Sequence, residues 1–142
     1  MNKIFRDISI FALVLIMGCS KKSPAVTVNI YDSEEYKSLD RKDLMVGESI
    51  WSTACFRCHM YGTNGAVLLD DKAYWDKAAS KGIDELYKSV WEGKKVENGQ
   101  MPAKGFCNLC SEDEIRKSVF YIFNLGKRVQ ESNEEKALKE ES

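Results

Sequence analysis

Residues 54–60 read ACFRCHM, and inside them Cys55-Phe56-Arg57-Cys58-His59 brings two thiols and an imidazole together. His59 is the sole histidine of the 142-residue chain. A second pair at the same spacing, Cys107-Asn108-Leu109-Cys110, is followed by Ser111 instead. In CxxCH, two thiols on one turn of helix can each add to a haem vinyl group, and the next residue directs an imidazole nitrogen to the iron. Cys55 and Cys58 are therefore the expected anchors of one covalently bound haem c, with His59 as proximal ligand. Two other chemistries use the same letters. A zinc site would need Cys107 and Cys110 to complete its ligands. A thioredoxin-like redox pair would need a βαβ context, and no alternating strand pattern of useful length occurs here.

Around this motif the chain is ordinary for one modest globular domain, with 44% hydrophobic and 30% charged residues. A formal net charge of -1 gives no general pull toward nucleic acid. No repeat is visible.

The N-terminus differs from the rest. Lys3 and Arg6 precede the apolar run Ile8 to Met17, followed by Gly18-Cys19-Ser20. The run is about half the roughly 20 residues that cross a bilayer, and it suits a signal peptide over residues 1–18. Ile16-Met17-Gly18-Cys19 resembles a bacterial lipobox, which makes Cys19 the lipidated first residue of the mature protein. By the lipoprotein sorting rule Ser20 favours the outer membrane. The expected location is the periplasm, on a lipid anchor. Export to an oxidising compartment lets the remaining cysteines form lasting bonds. Residues 19–39 read as a lipidated tether with little structure, 40–127 as the compact domain, and 128–142 as a charged tail that frays or forms a marginal helix.

Four helical stretches are expected in the domain: 40 to 57, 71 to 80, 83 to 93 and 111 to 126. The third is clearest, with Ile83, Leu86, Tyr87, Val90 and Trp91 on one face. The fourth opens on a capping box, Ser111 with Glu114. Long irregular loops cover 60–70 and 93–110. So few helices leave little core against the chain entropy, which leaves room for a cofactor at the centre.

The iron needs a second axial ligand, and methionine is the usual alternative to histidine. Met1 and Met17 leave with the signal peptide, Met60 adjoins His59, and Met45 reads as core. Met101 remains, in Gly99-Gln100-Met101-Pro102-Ala103-Lys104-Gly105.

The order helix, CxxCH, loop, two short helices, MPxKG, CxxC and final helix resembles a class I c-type cytochrome. More narrowly it is similar to the small bacterial cytochrome c5 group over about residues 44–126. The stretches that carry the likeness are VGESIWSTACFRCH, NGA after His59, AYW at 73–75, MPAKGFCNLCS and EIRKSVFYIF. The resemblance implies an all-α fold of about four short helices around one haem, His59/Met101 ligation, and electron transfer without substrate turnover. It implies that Gly47 and Trp51 pack near Tyr121 where the first and last helices cross, and that Cys107 and Cys110 form a local disulfide bracing the methionine loop. Two departures stand out. Val67 replaces a usual proline whose neighbourhood offers a carbonyl to the histidine, and the stretch 93–99 is longer than usual.

The expected function is that of a high-potential, membrane-anchored carrier in a respiratory chain. A quinol-oxidising complex would be its donor and a terminal oxidase or reductase its acceptor. Two alternatives are a fixed haem subunit of such a complex, and a peroxidase or gas sensor with a labile methionine. The third lacks a second histidine or acid–base pair to assist peroxide cleavage. Lys72, Lys77, Lys94, Lys95 and Lys104 either ring the edge of the site or are solvated surface lysines, and the interspersed acids favour the second reading.

Overall fold

The computed structural model describes residues 27–141, so the signal peptide and Cys19 lie outside the described residues. Among the described residues six α-helices follow one another: α1 (Glu34–Lys37), α2 (Arg41–Ile50), α3 (Phe56–Tyr61), α4 (Lys72–Ala79), α5 (Gly82–Glu92) and α6 (Glu112–Glu140). A two-stranded hairpin, β1 (Lys94–Val96) and β2 (Gly99–Met101), stands between α5 and α6. This is the mostly helical class I cytochrome c architecture that the resemblance implies. Among the described residues no helix is long and apolar enough to cross a membrane.

Side chains that satisfy otherwise unpaired amides start the helices. Asp40 and Asp43 form a capping box ahead of α2, and Asp71 accepts from the Tyr74 amide at 3.0 Å ahead of α4. Ser111 and Glu114 cap α6 as expected, the Ser111 amide donating to Glu114 Oε2 at 2.8 Å. α2 crosses α6 at Gly47, where an added Cβ would run into the Lys117 carbonyl and the Tyr121 Cβ. Only glycine lets the two backbones meet this closely, and Trp51 and Tyr121 are buried beside the crossing. Trp75 meets Phe123 edge-on, with centroids 5.2 Å apart, and ties α4 to the same core.

Four features depart from the sequence reading. Residues 30–37 are not a loose tether but a 3₁₀ turn and α1, and Ile30 is 0% exposed. The apolar residues of this segment have no regular period, so only the partners they meet in α6 reveal their burial. The stretch 93–101 is a hairpin rather than an irregular loop, in the register Lys94↔Met101 and Val96↔Gly99. Beyond residue 127 the final helix continues to Glu140. Lys127–Glu131 at 3.9 Å and Lys139–Glu135 at 2.6 Å support it one turn apart. Met45, read as core, is 58% exposed.

Candidate functional site

A π-helical turn over Trp51–Cys55 joins α2 to α3 without a break. It delivers Cys55, Cys58 and His59 on consecutive turns, and all three line cavities at the centre of the molecule. α3 then stops at Gly62, whose φ of 68° lets its amide return to the Cys58 carbonyl at 2.8 Å. Both thiols are free and half-buried, and burial, helped by the neighbouring Cys58, pushes the Cys55 thiol up to about 11.

His59 Nδ1 lies 3.0 Å from the Val67 carbonyl oxygen. A carbonyl can only accept, so Nδ1 carries the proton and Nε2 keeps its lone pair. Burial lowers the pKa of the ring, opposed by the bond to Val67, so the neutral imidazole is the favoured form. The loop that presents this carbonyl is held in turn by Trp75, whose Nε1 donates to the Leu68 carbonyl at 2.7 Å. The rings of Trp51 and Trp75 stand 6.2 and 6.1 Å from the His59 ring. Replacement of the usual proline by Val67 thus leaves a carbonyl in place for the histidine.

Met101 ends β2, and its side chain lines the same two cavities as His59, of about 270 and 80 Å³. The hairpin leans on the loop after His59. An added Cβ at Gly99 would overlap the Asn64 backbone, and one at Gly65 would stand 3.0 Å from Val96. Past Pro102 the chain turns through Lys104, Gly105 and Phe106, all at positive φ. Lys104 is not a solvated lysine. Its Nζ sits 3.7 Å over the Trp91 ring and 3.5 Å from the Cys110 carbonyl, fastening the methionine segment to α5 and to the loop before α6. Cys107 and Cys110 are joined as a disulfide with Cα atoms 5.4 Å apart. Among the other lysines, Lys72 pairs with Asp76 at 2.8 Å, while Lys77 and Lys94 line the larger cavity.

Sequence reasoning named Cys55, Cys58, His59 and Met101, and the fold brings them to the walls of two adjoining cavities that share Cys55, His59 and Met101. It did not find Trp75 as the holder of the Val67 loop, Lys104 as a brace, or the hairpin that carries Met101. The hairpin turns through Glu97 and Asn98, a pair that carries no strong turn signal in the sequence.

This donor set fits a haem. Two thiols, a bare Nε2 and a thioether surround an apolar space. Its larger part is walled by Trp75, Val90, Val119 and Phe123, with Lys77, Lys81 and Lys94 but no carboxylate side chain. Cations without carboxylates suit a large apolar ring bearing two acid groups. Zinc fits poorly. Cys107 and Cys110 are bonded to each other, and among the described residues no group of three or more His, Cys, Asp or Glu side chains could hold a metal ion.

Comparison with known proteins agrees with that fit. Residues 42–122 match the family model described as cytochrome C oxidase, cbb3-type, subunit III. The chain is 29% identical to cytochrome c-555 of Chlorobaculum thiosulfatiphilum over 85 residues, covering 60% of this chain and 99% of that one. It is 32% identical to cytochrome c5 of Ectopseudomonas mendocina over 74 residues, covering 51% of this chain and 80% of that one. Chloroplastic cytochrome c6 of Chlamydomonas reinhardtii is 28% identical over 99 residues, 70% of this chain and 66% of the other.

Proposed function

This chain belongs to the cytochrome c family, and we propose that it is a lipid-anchored monohaem carrier with His59 and Met101 as the axial ligands. As a cytochrome c it binds covalently attached haem c and transfers electrons; it is not an enzyme. When bound, the haem supplies single-electron exchange at its iron. The chain's own residues set the conditions for that exchange. Cys55 and Cys58 hold the group as thioethers. The Val67 carbonyl keeps His59 Nδ1 protonated and Nε2 free to ligate. The hairpin and Lys104 hold the Met101 thioether against the same space, and a soft sulfur ligand in an apolar site favours ferrous iron and a high potential. Trp75 and Phe123 give the larger cavity an apolar wall, while Lys77 and Lys94 put positive charge on it that would be available to the acid groups of a bound haem.

The observation that carries this reading is the neutral His59, fixed by Val67, in the wall of the same cavities as Met101. In the cell the carrier would act on the periplasmic side of a membrane, held by Cys19. It would take electrons from a quinol-oxidising complex and pass them to a terminal oxidase or reductase. The signal-like residues 1–18 and the lipobox support that placement. The oxidised, folded protein should show the weak methionine-to-iron charge-transfer band in the red, and Met101→Ala should abolish it. Absence of the band from the wild type, or ready binding of carbon monoxide by its reduced form, would overturn the ligand assignment.

A second reading, a fixed haem subunit of a larger respiratory enzyme, is favoured by the family model's description as an oxidase subunit. Co-purification from native membranes in a fixed ratio with an oxidase would select it over the carrier.

A further inference from the structure

The segment ahead of α2 is built into the domain. Ile30 is completely buried, and the Tyr31 hydroxyl donates to the Phe123 carbonyl at 3.4 Å. Both carboxylate oxygens of Glu35 accept from Arg116, from Nε and Nη2, and Nη1 donates to Asp84 Oδ1 at 3.0 Å, so one arginine staples α1 to α5 and α6. Gly82, at φ +73°, lies so close to the Val28 carbonyl that a Cβ would stand 2.9 Å from it. The chain therefore joins the folded domain at the corner between α4 and α5, around residue 28. It does not join at residue 40.

This changes how far the haem domain can move from its anchor. Between Cys19 and the docked segment only residues 20–26 remain, and a fully extended chain of that length spans about 25 Å at most. A loose tether over 20–39 would have reached roughly 70 Å. We propose that the domain works on a short leash and, among membrane-bound redox proteins, exchanges electrons only with those embedded in the same membrane as its lipid. Their exchange surface must stand within one domain's height of the bilayer, with the α4–α5 corner as the part of the cytochrome nearest the lipid. A leash that spans the gap raises the partner's effective concentration, and one that falls short reduces it to near zero. The inference rests on the lipid-anchored reading of Cys19. Together with a respiratory role, it requires retention in the inner membrane, against the sorting expected from Ser20. From the outer membrane, a domain so leashed would not reach complexes in the inner one.

The test uses the lipidated, haem-loaded full chain and membrane vesicles from a strain that lacks it, energised with a quinol donor. Reduction is timed with the cytochrome inserted in those vesicles, and again with it inserted in separate liposomes. A variant carrying 30 Gly/Ser residues between positions 26 and 27, which adds a flexible span of about 30 Å, is timed in parallel. The expected result is reduction at least about tenfold slower from separate liposomes, with the long-leash variant closing most of that gap. Equal rates for the wild type in both settings, or no gain from the spacer, would overturn the short leash while leaving the anchor intact. Flotation with the liposomes, with Cys19→Ser as control, is measured alongside. A wild type that fails to float would overturn the anchor and the leash together.

Discussion

Cys55 and Cys58 lie on a helical turn whose next residue faces a cavity, whereas Cys107 and Cys110 close a tight non-helical loop whose next residue caps a helix. The spacing is identical, so spacing alone does not decide the chemistry. In the first pair the thiols stay free, line the apolar cavities, and hand on to His59. In the second the sulfurs bond to each other, Leu109 between them is 99% exposed, and Ser111 and Glu114 exchange hydrogen bonds. One pair is arranged to receive a group, and the other to hold the backbone between Met101 and α6.

The largest effect expected from breaking this contrast is at the first pair. The double change Cys55→Ser/Cys58→Ser should abolish covalent attachment, read as loss of haem staining on a denaturing gel, while Cys107→Ser/Cys110→Ser should leave staining intact. The second double change should instead weaken the fold by about 1–2 kcal/mol in a denaturant melt, because a loop this short gains little from closure. Ser111→Ala should cost about 1 kcal/mol through the lost cap, with no effect on haem content. A pH-dependent effect concerns the docked N-terminal segment. Burial, followed by the nearby Tyr36, pushes the Tyr31 phenol from 10.0 up to about 12. Folding therefore favours its neutral form. That contribution is complete below pH 10 and is lost as pH rises from about 10 to about 12, which an alkaline titration of Tyr31 absorbance against unfolding should trace.

Elements whose signals are local were legible in the sequence. The stripe of α5 and the capping box before α6 each follow from neighbouring residues and appear in the fold, while the close approach at Gly47 was implied by the family resemblance. The unread parts depend on distant partners. Ile30 and Tyr31 have no periodicity of their own; Ile30 is buried, and the half-buried Tyr31 meets Phe123, which lies 92 positions beyond it. The strands that carry Met101 are three residues each, too short for alternation to show. Lys104 looked like any surface cation until the ring of Trp91 lay beneath it. The residue types of the haem site were readable because their chemistry is carried by a contiguous motif. The scaffold that holds them was not, because it is assembled across the whole chain.

The π-helical turn at Trp51–Cys55 has a consequence for how this site tolerates change in length. Such a turn holds one residue more than the α-helix around it. Loss of a single codon between 51 and 55 would relax the turn to ordinary helix and keep every letter of CxxCH. Because the wide turn had absorbed that residue, the motif would keep its orientation relative to the face that Trp51 buries. One further residue inserted there would have no wide turn left to absorb it, and would rotate the cysteines and His59 by about 100° off the cavity. This stretch should therefore accept the loss of one residue between Trp51 and Cys55 better than the gain of one.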